Sequence, residues 1–191
     1  MIFVIRITSC LFAASLLAAC SSSTPLVKQP PEWGYEKDAI QLHLVSDPQL
    51  NLYQKKPHSL IVCLYHLREP NGFKQLINEK DGLPRLLECS RFDPSVTYSR
   101  RLVVQPNQEL TEALDRTDGA KFVGIVAGYY TLRKESSARL FSVPVTEVKN
   151  GSTLVQKTAK LNIDLYLDRQ EIKQPNENAK ATAPIKGKET K

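Results

Sequence analysis

The chain has 191 residues, of which 41% are hydrophobic and 24% are charged. This length and composition suit one packed domain and exclude a protein with several membrane spans. The formal net charge is +6, but the basic residues are spread along the sequence without a run of five or six. We therefore expect no nucleic-acid partner.

The first twenty residues have the features of an export signal. Arg6 precedes the nearly uncharged residues 7–19, a stretch shorter than the roughly twenty residues that a membrane-spanning helix requires. The stretch ends in Leu-Ala-Ala followed by Cys20, which resembles the lipobox of bacterial lipoproteins. An ordinary signal peptide that happens to end near a cysteine is the alternative.

The lipobox resemblance implies that residues 1–19 are a signal peptide removed before Cys20. It also implies that Cys20 then carries a diacylated thiol and an acylated amine. We expect three acyl chains to anchor the protein almost permanently, since one chain alone gives only marginal binding. Ser21 stands where lipoproteins retained in the inner membrane often carry Asp, which favours the periplasmic face of the outer membrane.

Two cysteines of the mature chain remain unassigned, Cys63 and Cys89, because Cys10 leaves with the signal and Cys20 carries lipid. An even pair in an oxidising compartment predicts a disulfide. Such a bond would contribute roughly 3 kcal/mol in the chain-entropy model. Two separate buried thiols are the alternative, and the mass change on reduction distinguishes the two.

Composition divides the mature chain into three parts. Residues 20–36 comprise the lipidated cysteine and a Ser/Pro-rich segment without periodicity, which predicts an extended tether. Residues 37–168 carry the strand and helix patterns and form the predicted domain. Residues 169–191 hold six basic and three acidic residues and almost no large apolar ones, which predicts a disordered tail of charge +3.

The first half of the domain begins with strand patterns. Ile40, Leu42 and Leu44 alternate with polar residues, which predicts a strand that begins near Ala39 with one buried face. Residues 59–67 are apolar on both faces and predict a strand covered on both sides. Residues 73–89 have leucines at spacings of three and four, which predict two short helices, with Pro84 in the first turn of the second.

The second half continues with short strands. We predict strands over 98–105, 122–130, 138–145 and 159–167, with a turn after Pro106 and a hairpin at Asn150-Gly151. The run 122–130 is the predicted central strand, where Gly124 and Gly128 permit close approach of a neighbouring layer. About seven or eight short strands and one helical insertion predict a mainly β protein, a β-sandwich with a small helical addition.

The segment between the first two predicted strands is expected to be a loop that is unusually apolar. Its residues are Asp47, Pro48, Gln49, Leu50, Asn51, Leu52, Tyr53, Gln54, Lys55, Lys56 and Pro57. The two prolines and the polar run before Pro57 disfavour regular structure. Leu50, Leu52 and Tyr53 either form an exposed contact surface or pack on the domain's own core, and the sequence leaves both open.

The residues that usually carry out catalysis are missing. The sequence has no GxSxG, HExxH, GxGxxG or P-loop motif and no lone cysteine to activate. His43, His58 and His66 lack the spacing of zinc ligands. Asp115, Asp118 and Asp164 are explained by turns or a strand surface. We therefore expect no enzyme, no metal and no cofactor apart from the covalent lipid at Cys20.

Four features together resemble the TssJ family, the outer-membrane lipoproteins of bacterial type VI secretion systems. They are the lipobox at Cys20, the sequence LNLYQKKPHSLIVCLYHL at 50–67, the Phe73 region followed by RLVVQP at 101–106, and FVGIVAGYY at 122–130. The last is the most specific, since it is similar to the family's Gly-Val-Val-Ala-x-Tyr strand. The resemblance spans roughly residues 39–168.

The resemblance implies a transthyretin-like β-sandwich with added helices. It also implies a non-enzymatic adaptor that binds the periplasmic domain of the inner-membrane protein TssM and thereby tethers the secretion complex to the outer membrane. In the family, the loop between the first two strands contacts TssM, and that loop maps onto Asp47 to Pro57 here.

A periplasmic lipoprotein that binds a small ligand or a glycan is the competing hypothesis, because β-sandwiches commonly present loops for that purpose. Exposed aromatic residues gathered on one rim, such as Trp33, Tyr129 and Tyr130, would favour it. Tyr129 and Tyr130 end a run that is expected to be buried, however, and Trp33 lies in the predicted tether.

Overall fold

The computed structural model describes residues 27–151 and 153–174. The predicted signal peptide, Cys20 and residues 175–191 of the predicted tail lie outside the described residues. The described strands are β1 (Val27–Gln29), β2 (Glu36–Ser46), β3 (Leu60–Leu67), β4 (Val96–Val104), β5 (Glu109–Arg116), β6 (Phe122–Ala127), β7 (Ala138–Ser142), β8 (Val145–Asn150), β9 (Thr153–Thr158), β10 (Leu161–Leu167) and β11 (Ile172–Lys173). The helices are α1 (Asn71–Asn78), α2 (Gly82–Leu86) and α3 (Lys134–Ser137).

Two four-stranded sheets form the sandwich, with strand orders β11-β10-β2-β5 and β4-β3-β6-β7. β2 pairs with β10 in parallel, so Ile40, Leu42 and Leu44 lie beside Leu161, Ile163 and Leu165. The alternating leucines and isoleucines of both strands point inward, because successive side chains of a strand alternate between the faces of its sheet. They form one apolar core with the inward side chains of β3, β4 and β6.

The outer face of the second sheet is covered by the two helices of the insertion. Tyr65 and Phe73 belong to a second apolar cluster between β3 and these helices. β3 is therefore buried on both faces, as its continuous apolar sequence predicted. On the neighbouring β6, Gly124 leaves room for the ring of Phe73, since a Cβ at this position would lie 2.7 Å from that ring.

The predicted disulfide between Cys63 and Cys89 is present. It joins the middle of β3 to the segment after α2, with the two Cα atoms 5.1 Å apart. Tyr65, two residues further along β3, donates a hydrogen bond to the carbonyl of Leu86 in α2. Burial raises the pKa of the Tyr65 phenol to about 12. The disulfide and this hydrogen bond attach the helical insertion to the sheet.

The segment predicted as an extended tether is docked on the domain from Val27 onward. Val27–Gln29 pairs in parallel with Thr153–Val155, and β1, β9 and β8 form a third sheet. Trp33 packs partly against the main core and accepts a hydrogen bond from the Gly119 amide through its carbonyl. Contacts between residues more than 80 positions apart leave no local periodicity, so they cannot be read from the sequence pattern.

A buried ion pair holds the end of this segment. The guanidinium of Arg116 is only 2% exposed and lies 3.0 Å from the carboxylate of Glu36. It also donates to the hydroxyl of Thr158 and stands over the ring of Trp33. These contacts join the first residue of β2, the last residue of β5 and the last residue of β9 at one junction.

We predict that Glu36→Gln destabilises the fold by about 2 kcal/mol, below the range for a fully buried pair because Glu36 is partly exposed. The substitution keeps an acceptor oxygen but leaves the Arg116 charge uncompensated. Trp33 is the single tryptophan of the chain, so its emission reports on this segment in the same urea titration. An unfolding midpoint equal to that of the unsubstituted protein would contradict the prediction.

The folded region also extends past residue 168, where the tail was predicted to begin. Ile172 is fully buried, and Ile172–Lys173 pairs antiparallel with the end of β10. The hydroxyl of Tyr129 donates to the carbonyl of Glu171 over 2.7 Å, and Arg139 donates to the carbonyl of Ile172. One buried isoleucine and two long-range hydrogen bonds therefore order residues 169–174, which are otherwise polar.

Two further details differ from the prediction. Glu109–Arg116 was not predicted as a strand, since four of its eight residues are charged, yet it pairs along β2. The predicted strand over 122–130 ends at Ala127. Gly128 then donates its amide to the carbonyl of Ile61, and the chain leaves the sheet.

Candidate partner-binding surface

The loop from Asp47 to Pro57 has a fixed backbone. Asp47 accepts the Gln49 amide through its carboxylate over 2.6 Å and the Tyr166 hydroxyl over 2.7 Å. The Asp47 carbonyl accepts the amide of Leu50. Through these bonds Asp47 stabilises a tight turn at the start of the loop, as aspartate commonly does.

The tip of the loop is a tight turn across Gln54 and Lys55. Tyr53 and Lys56 exchange two backbone hydrogen bonds of 2.9 Å, and both central residues have positive φ, 48° and 62°. Positive φ at both central positions is the geometry of a type I′ turn, which usually takes Asn and Gly. Residues with side chains are strained in this conformation by roughly 1–2 kcal/mol each. The surrounding contacts of the loop compensate for that strain.

Leu50 and Leu52 fix the base of the loop. Leu50 is fully buried in the main core, which settles for this residue the two alternatives that the sequence left open. Leu52 is half-buried, donates its amide to the carbonyl of Arg169 and accepts the side-chain amide of Gln170. The loop is therefore held on one side by the core and on the other by the segment after β10.

Tyr53 and Tyr130 form the aromatic part of the surface. Their rings are stacked with centroids 3.8 Å apart, and Asn51 accepts the backbone amide of Tyr130 through its side-chain oxygen. Tyr130 is 62% exposed, whereas the neighbouring Tyr129 is buried. The exposure of Tyr130 was not predicted, because the apolar run indicated burial of both tyrosines.

The polar part of the surface surrounds this stack. The side chains of Pro48, Gln49, Gln54, Lys55, Lys56 and Pro57 are all exposed. His58 follows the loop, with its ring 6.2 Å from that of Tyr53. The loop thus presents an aromatic platform, of the kind enriched at protein interfaces, with two lysines at its tip.

An open groove of about 500 Å³ lies beside the loop. Its walls carry charges of both signs, from Asp47, Arg133, Asp168, Arg169 and Glu171. Asp168 is paired with Lys173, and hydrogen bonds from Lys173 and the Arg169 amide lower the pKa of its carboxyl despite its partial burial. The groove therefore has polar, charged walls.

The three histidines do not come together. His43 lies on β2 between Asp164 and Glu109, at 3.1 and 3.0 Å, while His58 is exposed beside the loop and His66 is buried in β3. Within 27–151 and 153–174, no group of three His, Cys, Asp or Glu side chains is arranged to hold a metal ion. The aromatic rim considered for a ligand is not formed either, since Tyr129 is buried and Trp33 packs beside Arg116.

The fold and this surface define a β-sandwich with a helical cover on one sheet and a structured, partly aromatic loop after β2. The profile of the type VI secretion lipoprotein family, described by the names SciN, VasD, EvfM and TssJ, matches residues 38–170. The chain belongs to this family. The match includes the whole of the loop and ends where the C-terminal segment returns to it.

Solved structures agree with the fold. The chain is similar to the lipoprotein TssJ1 of Pseudomonas aeruginosa, with 20% identity, a TM-score of 0.52, and coverage of 75% of this chain and 95% of that one. It is similar to Lip of Serratia marcescens, a membrane-bound component of the type VI secretion system, with 14% identity, a TM-score of 0.50, and coverage of 70% and 94%.

A third similar chain comes from a structure described as the TssM C-terminal domain of the type VI system from EAEC. It has 13% identity, a TM-score of 0.52, and coverage of 70% of this chain and 94% of that one. No curated protein sequence matches the chain. Among the described residues, none of the helices has the length and apolarity needed to cross a bilayer.

Proposed function

We propose that the chain is the outer-membrane lipoprotein of a type VI secretion membrane complex. In this proposal Cys20 carries the acyl chains, and the loop from Asp47 to Pro57, together with Tyr130, binds the periplasmic domain of a TssM-like inner-membrane protein. The protein acts as a structural adaptor and catalyses no reaction.

The family match over residues 38–170 carries this proposal. The loop geometry supports it, because a binding surface that is already ordered loses little conformational entropy when a partner docks. Tyr53 and Tyr130 are rigid aromatic side chains of the kind that dominate protein interfaces, and the stack keeps them in one orientation. Leu52 of the same loop is half-buried, so part of its apolar side chain stays accessible to a partner.

The choice of partner rests on the structural comparison. One chain with this fold occurs in a structure described as the TssM C-terminal domain. A TssM-like protein from the same genome is therefore the first partner to test. An acylated anchor would keep the adaptor at the membrane, and a moderate contact would then suffice, because confinement raises the effective concentration of the two proteins.

Binding of the mature chain, made soluble by Cys20→Ser, to the periplasmic domain of that TssM-like protein tests the proposal. Biolayer interferometry should give saturable binding that Tyr130→Ala weakens about tenfold or more, as expected for an aromatic anchor. Tyr35→Ala is the matched control, because Tyr35 is also 62% exposed but lies on the N-terminal segment. No binding by a folded protein and partner would reject the adaptor and favour a ligand-binding lipoprotein.

A further inference from the structure

The N-terminal segment is docked along the domain rather than leaving it directly. Besides the pairing of β1 with β9, Lys28 forms an ion pair of 2.8 Å with Glu147 on β8. Tyr35 donates its hydroxyl to Asp115 over 2.5 Å, and Asp115 also accepts the Asp38 amide. These contacts make the segment from Val27 to Glu36 part of the folded unit.

This docking limits how far the domain can stand from a lipid at Cys20. Six residues separate Cys20 from Val27, and a fully extended chain of that length reaches at most about 25 Å. Val27 pairs with Thr153, at the beginning of β9 and beside the hairpin turn at Asn150-Gly151. The chain that comes from Cys20 therefore reaches the described part of the domain beside the tip of the β8–β9 hairpin.

The hairpin offers a surface suited to a bilayer. All six residues of β8 are exposed, β8 is an outer strand of its sheet, and the exposed Val148 lies two residues before Asn150 at the turn. Lys149 is exposed directly before Asn150, at the tip of the same hairpin. Basic side chains near an anionic membrane surface are attracted to it, and exposed valines gain from contact with the headgroup and acyl boundary.

A path through the Arg116 junction connects this hairpin to the loop. β9 runs from the hairpin turn to Thr158, whose hydroxyl lies 3.2 Å from the carboxylate of Glu36 at the start of β2. β2 then continues for 11 residues before the loop begins at Asp47. The hairpin and the loop thus lie at opposite ends of the path that passes through the Arg116 junction.

We propose that the β1–β9–β8 sheet rests with its hairpin tip on the surface of an anionic phospholipid bilayer. This contact would direct the loop from Asp47 to Pro57 away from the membrane and toward the periplasm. The inference rests on the proposed acylation of Cys20, and it adds a second, non-covalent contact between the protein and the membrane.

Hydrogen exchange of the full mature chain tests the contact. The acylated protein, inserted in vesicles of phosphatidylethanolamine and phosphatidylglycerol, should exchange the amides of residues 145–158 several-fold more slowly than the Cys20→Ser protein in solution. Residues 47–57 should exchange equally in both. Val148→Asp should abolish the protection of the hairpin, because it places a negative charge against an anionic surface.

Val103→Asp is the matched control, since Val103 is 54% exposed on β4, another outer strand, and Val148 is 51% exposed. It should leave the protection of residues 145–158 unchanged. Equal exchange of the hairpin in the acylated and soluble proteins overturns the inference. Protection that also occurs in the soluble protein and grows with its concentration overturns it too, in favour of strand pairing between two copies.

Mass spectrometry of the N-terminal peptide distinguishes a failure of the proposed function from a failure of the membrane contact alone. A Cys20 without acyl chains contradicts the proposed function and with it the membrane contact. An acylated Cys20 with an unprotected hairpin contradicts the membrane contact alone.

Discussion

Replacing Tyr53 with aspartate is expected to weaken binding to the TssM-like partner by about 2–4 kcal/mol, or roughly 30- to 1,000-fold in Kd. The substitution removes the ring that stacks on Tyr130 at 3.8 Å and places a carboxylate in the part of the surface that would be desolvated. The backbone of the loop should persist, because the amide and carbonyl of Tyr53, not its side chain, bond to Lys56.

Tyr53→Phe is the matched control for this experiment. It keeps the ring and removes only a hydroxyl that accepts the side-chain amide of Gln54, so it should bind within a few-fold of the unsubstituted protein. Isothermal titration of both variants against the same partner domain measures the difference. Unchanged affinity of Tyr53→Asp would remove the loop from the interface while leaving the family assignment intact.

The parts of the fold that the sequence predicted are those with local patterns. The alternation of Ile40, Leu42 and Leu44 and the continuous apolar run of β3 each report the burial of a strand from neighbouring residues alone. The Asn150-Gly151 pair likewise specifies its hairpin locally, and Gly151 has φ of 60° there. The even count of mature cysteines predicted the disulfide.

The ends of the domain were not predictable in this way. β1 and β11 are held by partners far along the chain, Thr153–Val155 and the end of β10. A buried arginine at 116 is also contrary to the usual exposure of that residue type, and its contacts with Glu36, Thr158 and Trp33 explain it. Composition describes such segments as polar linkers because it does not register single long-range contacts.

In the candidate surface, too, some features could be predicted from local sequence patterns and others could not. The apolar residues of the loop predicted a contact surface or a core contribution, and the structure assigns Leu50 to the core and leaves Tyr53 at the surface. The exposure of Tyr130 could not be found from the pattern, because the run is apolar on both faces up to Tyr130 while the strand ends at Ala127. The positive φ angles of Gln54 and Lys55 have no sequence signal either, since neither residue type favours that conformation.

Acidification is expected to destabilise the domain through His66. This side chain is fully buried in β3, where its Nδ1 lies 3.2 Å from the hydroxyl of Thr117 and its Nε2 has no partner among the described residues. Burial lowers the pKa of His66 from 6.5 to about 4, because the protonated ring would be charged in an apolar surrounding. The folded state therefore binds a proton less readily than the unfolded state.

Because the pKa of His66 is lower in the folded state than in the unfolded state, acid favours unfolding. The contribution of His66 to stability is fully present above pH 6.5 and is lost as the pH falls toward 4, by about 3 kcal/mol in all. Hydrogen bonds to Glu109 and Asp164 raise the pKa of the exposed His43, so its contribution has the opposite sign and falls as the pH rises. Urea unfolding between pH 4 and 7 measures these two effects together with those of the carboxylates.

His66→Asn separates the contribution of His66 from that of the carboxylates and of His43. The variant should be less stable at neutral pH, because it leaves a cavity in a packed core, but its stability should fall less steeply between pH 6.5 and 4. His43→Gln should instead make the fall steeper, since it removes the contribution that favours low pH. Parallel pH profiles for His66→Asn and the unsubstituted protein would show that His66 is protonated equally in the folded and unfolded states.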